Sequence, residues 1–105
     1  MNPDFRDMLS ALSAEGAEFL VVGAYAMAVH GVPRATGDID LWVRPTPANA
    51  AIVMRAIQRF GAPLDLVQPG GLATPGLALQ IGVPPRRIDV LTTIDGVSFD
   101  DAWAA

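Results

Sequence analysis

Asp38-Ile39-Asp40-Leu41-Trp42-Val43 alternates acidic or aromatic side chains with apolar ones. That period of two is the pattern of a strand with one face in a core. Ile39, Leu41 and Val43 are expected inside, and Asp38, Asp40 and Trp42 share the opposite face. Aspartates at positions i and i+2 of a strand lie about 6.5 to 7 Å apart at Cα, close enough for their carboxylates to converge on one ion. Like charges so placed repel unless a cation compensates, and Mg²⁺ suits the role because it takes oxygen ligands and keeps positions open for water and phosphate.

Downstream of this strand, Thr46 and Pro47 read as the N-cap and first residue of a helix. Its apolar stripe is Ala50, Val53, Met54, Ile57 and Phe60, and it ends before Gly61. Residues 61–76 are rich in glycine and proline and read as a loop, with one short extended piece at Leu64 to Val67. Leu77, Leu79, Ile81 and Val83 alternate, Pro84 and Pro85 interrupt, and Arg87 to Leu91 forms a second strand, so a hairpin is expected. Asp89, between Ile88 and Val90, projects opposite to those two. Were its strand beside the first, three carboxylates would share one surface. Ser98 reads as an N-cap with Asp100 and Asp101 in the first turn of a helix only about two turns long. Such a helix reads as cut short, or as burying Phe99 and Trp103 within the domain or against a second copy.

Upstream, Asn2-Pro3 starts a helix whose stripe is Phe5, Met8, Leu9 and Leu12, closed by Gly16. Phe19 to Val22 is an apolar run that stops at Gly23, as expected of a strand covered on both faces. Ala24 to His30 is alanine-rich and reads as a short helix. Gly23 thus stands where a strand meets a helix N-terminus, a place where backbone amides can meet phosphate.

The chain has 105 residues, 51% of them apolar and 17% charged, which fits one α/β (α+β) domain spanning residues 1–105 and argues against disorder. There is no cysteine, so disulfides, thiolate metal sites and cysteine nucleophiles are excluded. A net charge of −4 and the absence of lysine argue against broad binding to duplex DNA. A single nucleotide, its charge partly carried by metal, stays compatible. No run approaches the roughly 20 apolar residues of a membrane span, and the N-terminus does not read as a secretory signal, so a cytoplasmic location is expected.

The run from Val22-Gly23-Ala24-Tyr25 to His30-Gly31, through Pro33-Arg34-Ala35-Thr36-Gly37 to Asp38-Ile39-Asp40-Leu41, resembles the signature of the DNA polymerase β-type nucleotidyltransferase superfamily. It is most similar to the small bacterial branch that includes AbiEii-like toxins. The resemblance covers about Glu18 to Leu91. It implies a mixed sheet flanked by helices, and Mg²⁺, or Mn²⁺ in its place, held by Asp38, Asp40 and Asp89. Phosphate contacts are implied near Gly23 and Ala24. The implied activity is transfer of a nucleoside monophosphate from a nucleoside triphosphate to a hydroxyl on RNA, protein or a small molecule. A second expectation keeps the fold without turnover, the chain acting through a partner as in a toxin–antitoxin pair.

Other residues admit two readings. Arg34 and Thr36 either line a solvated loop or touch substrate phosphate. Trp42 either stacks on a base or packs beneath a helix. His30, at a helix end, reads as structural, and Arg86 and Arg87 read as decoration of the hairpin.

Overall fold

The structure, a computed structural model, describes residues 3–22, 38–62, 71–82, 87–94 and 96–104, with the side chain of Asp38 outside that description. Its elements are α1 (Pro3–Glu15), β1 (Phe19–Val22), β2 (Asp38–Val43), α2 (Pro47–Phe60), a 3₁₀ turn (Gly71–Ala73), β3 (Ala78–Ile81), β4 (Arg87–Leu91) and α3 (Phe99–Ala104). The chain is α+β, with a mixed four-stranded sheet in the order β1-β2-β4-β3. β1 runs antiparallel to β2, β2 parallel to β4, and β3 antiparallel to β4.

One face of the sheet makes the core. Ile39, Leu41 and Val43 of β2, Ile88 and Val90 of β4, and Leu79 and Ile81 of β3 meet Phe5, Met8, Ala11 and Leu12 of α1 and Ala50, Val53, Ala56 and Ile57 of α2. These are the strand positions of one parity and the helix positions of one stripe, so burial follows directly from the two periods. Ala11 joins the first expected stripe and Ala56 the second, while Leu9, Met54 and Phe60 pack against the core only partly buried.

Local chemistry fixes where α2 begins and ends. The Thr46 hydroxyl accepts a hydrogen bond from the Asn49 amide, Pro47 occupies the first turn, and Gly61 closes the helix at φ 102°. That left-handed conformation suits a residue without Cβ. Asn49, itself buried, reaches back to the sheet: its side-chain oxygen accepts from Glu18 N at 2.8 Å, and its amide group donates to the carbonyls of Glu18 and Arg44, each at 3.0 Å. One side chain therefore ties α2 to the adjoining ends of β1 and β2.

Two expectations change. β1 was expected to be covered on both faces, but every one of its residues is half-buried, because it pairs on one side with β2 at an edge of the described sheet. Phe19 and Val21 pack against the core, and the alternate residues turn to the opposite face. The loop expected over residues 61–76 contains the 3₁₀ turn, which presents Leu72 to the core. The helix expected at Ala24 to His30 and the extended piece at Leu64 to Val67 lie outside the described residues. Among the described residues no helix is long and apolar enough to cross a membrane.

Candidate functional site

Parallel pairing of β2 with β4 sets the geometry. In register, Asp38 stands opposite Arg87, Asp40 opposite Asp89 and Trp42 opposite Leu91. Since Ile39, Leu41, Ile88 and Val90 all point into the core, Asp40 and Asp89 emerge together on the other face of the sheet. Adjacent strands lie about 4.8 Å apart, so these two carboxylates leave the backbone side by side. β1 and β3 extend the same row, with Val22 paired to Asp40 and Gln80 paired to Asp89. Val22 is the last described residue before Gly23, so the chain enters the glycine-bearing segment beside Asp40.

Asp89 is mostly shielded, its side chain 14% exposed. Its Oδ1 is buried and accepts no hydrogen bond, although Arg87 Nε stands 3.2 Å away at ion-pair distance. Arg87 precedes Asp89 by two residues and so shares its face. The sequence reading of Arg87 as hairpin decoration is thereby corrected: it belongs to the acidic row, as the i to i+2 spacing already allowed. Among the described side chains, the row combines two adjacent carboxylates with one guanidinium.

The row next to it is aromatic. Trp42 is buried, and Phe99 of α3 meets it edge to face, ring centroids 5.2 Å apart at 78°. Of the two readings of Trp42, packing beneath a helix is the one seen. Trp103 stacks on Phe99 at 5.7 Å and stays about half exposed. The Arg44 guanidinium lies 4.7 Å from the Phe99 ring centroid and pairs with Glu18 at 2.9 Å and with Asp100. The hydrogen bond to Asp100 leads in raising the Arg44 pKa above its ordinary value, against the opposing pull of burial, with Glu18 adding to the rise. A permanently charged group thus fastens α3 to the sheet beside the acidic row. The Ser98 hydroxyl accepts from the Asp101 amide at 3.1 Å, the capping expected of it.

Gly23, Ala24, His30, Arg34 and Thr36 lie outside the described residues, and Asp38 is placed by its backbone only. Among the described residues, no group of three histidine, cysteine, aspartate or glutamate side chains is gathered to hold a metal. Two carboxylates in register, one carrying a buried oxygen without a hydrogen bond, nevertheless fit the oxygen chemistry of a hard divalent cation. No family model, curated protein or solved structure matches the chain.

Proposed function

We propose that the protein transfers a nucleoside monophosphate from a nucleoside triphosphate to a hydroxyl acceptor, with Asp38, Asp40 and Asp89 holding Mg²⁺. The observation that carries this reading is the in-register placement of Asp40 beside Asp89 on the face opposite the core. It supports the reading because side-by-side carboxylates on adjacent strands repel unless positive charge joins them. The motif from Val22 to Leu41 supplies the rest of the case.

In this reading the strands are rigid supports. Asp40 and Asp89 each stand between two buried strand residues, so little ordering remains to be done when substrate arrives. Mg²⁺ held by these carboxylates would supply charge to the phosphate oxygens and lower the pKa of a nearby hydroxyl. Asp89, where it serves as base instead of ligand, takes the proton of the acceptor hydroxyl as the hydroxyl oxygen bonds to the α-phosphorus. The bond from that phosphorus to the leaving oxygen breaks, and pyrophosphate departs with the electron pair. Gly23 and Ala24 offer backbone amides to the triphosphate, and Arg34 and Thr36 add side-chain donors.

A second reading draws on the Arg87–Asp89 pair, which offsets one carboxylate without any metal. Under it the chain keeps the fold, turns over nothing and works through a protein partner, as in a toxin–antitoxin pair. The deciding experiment incubates the protein with each labelled nucleoside triphosphate and Mg²⁺, in the presence of RNA or protein acceptors, and measures labelled product and pyrophosphate. Asp40→Ala should abolish both signals. Transfer unaffected by that substitution would remove the mechanism, and no transfer with any triphosphate would favour the second reading.

A further inference from the structure

The acidic row contains its own counter-charge. Arg87 reaches Asp89 at 3.2 Å while its backbone stands in register with Asp38. The arginine is 30% exposed and the aspartate 14%, so the pair is only partly screened by water. Its geometry is that of a close charge contact rather than an aligned hydrogen bond, since Asp89 Oδ1 is left without one. A guanidinium forms its best pairs with carboxylates as a two-pronged fork of aligned hydrogen bonds, and the contact of Arg87 Nε with Asp89 Oδ1 is not one of these. The pair is therefore strong enough to occupy the carboxylate and poor enough to be exchanged for a better cation.

We propose that Arg87 is the resident counter-cation of the row and that a divalent cation binds by displacing it from Asp89. Arg87 then sets the threshold of cation affinity, keeping the carboxylates compatible at low divalent concentration and yielding when the ion arrives. This inference rests on the metal-site reading of Asp40 and Asp89. It adds a regulating residue that is neither ligand nor base.

Two measurements on the full chain test it. In the first, Mn²⁺ binding is followed by the loss of the free-ion paramagnetic resonance signal for the parent protein, Arg87→Gln, Arg87→Lys and Asp89→Asn, each checked for folding by circular dichroism. Removing a cation in contact with the site should tighten Mn²⁺ binding by about tenfold in Arg87→Gln, given the strength of close, partly shielded charge pairs. Arg87→Lys should stay near the parent, and Asp89→Asn should bind weakly. In the second, the Nε–H resonance of Arg87, assigned by its absence from the Arg87→Gln spectrum, is followed as Mg²⁺ is added. It should shift, and Asp89→Asn should remove the shift. Equal or weaker Mn²⁺ binding by Arg87→Gln, or an Arg87 resonance unmoved while Mn²⁺ binds, overturns the displacement and leaves the metal site standing. No Mn²⁺ binding by parent or variant overturns both.

Discussion

Removing the side chain of Asn49 should loosen the sheet more than any other single polar change in the described residues. Asn49→Ala deletes three hydrogen bonds at once, two to Glu18 and one to Arg44, at a position 3% exposed. Glu18 O keeps one partner, since it also accepts from Arg44 N at 3.2 Å. Glu18 N loses the bond that Asn49 gives it. At about 1 kcal/mol net for each intramolecular hydrogen bond, with extra cost where a shielded group is left without a partner, the loss comes to roughly 3 kcal/mol. For a domain of this size that corresponds to a fall in melting temperature of roughly 10 to 20 °C. Asn49→Asp separates the contributions, because the carboxylate can still accept from Glu18 N but turns an oxygen toward two carbonyls that need a donor. It should destabilise at least as much as alanine. Urea unfolding followed by circular dichroism measures both variants, and the midpoint should fall with an unchanged slope. A midpoint within about 0.5 kcal/mol of the parent for either variant would refute the clamp, because the geometry leaves no substitute donor in that side chain.

Four further outcomes follow from the same geometry. Thr92→Val should cost about 1 to 2 kcal/mol in urea unfolding, because the buried hydroxyl accepts from Leu77 N at 2.9 Å and donates to Thr74 O at 2.8 Å, and valine keeps the shape without either bond. Phe99→Ala should cost about 3 kcal/mol and shift tryptophan emission to the red, since it uncovers Trp42; unchanged emission would mean that α3 does not cover that ring. Gly61→Ala should cost about 1 kcal/mol from backbone conformation alone, as a Cβ there meets nothing within 4 Å; a neutral result would argue against the left-handed cap. Asp40→Asn should keep the melting temperature within a few degrees while abolishing Mn²⁺ binding, and a large loss of stability without loss of binding would make Asp40 structural.

The helix α2 was legible to the residue because its boundaries are local chemistry: a threonine hydroxyl, a proline in the first turn and a glycine at the end. β2 and β4 were legible because alternation is visible in five or six residues, and the β3–β4 hairpin followed from two such runs divided by prolines. Strand order was not. Nothing in the pattern of β2 states that its neighbour is β4, and only that pairing turns Asp40 and Asp89 from two aspartates into one row. Arg87 was overlooked for a related reason. Its own strand period placed it on the face of Asp89, but a charged residue after two prolines reads as surface until the partner strand is known. β1 looked like an interior strand because four consecutive apolar residues can equally describe an edge strand packed from both sides to half depth.

The parallel pairing also governs how the protein comes together. β2 and β4 are adjacent in the sheet, yet α2, the 3₁₀ turn and β3 are all strung between them along the chain. Contacts between distant segments are slow to form because the intervening loop must close first. A nascent chain emerging from the ribosome carries Asp40 long before Asp89, so the acidic row is absent until β4 has been synthesised and docked. Maturation of the candidate centre is thereby coupled to completion of the sheet, and a chain interrupted before Arg87 would carry half of the charge pattern and none of its counterbalance.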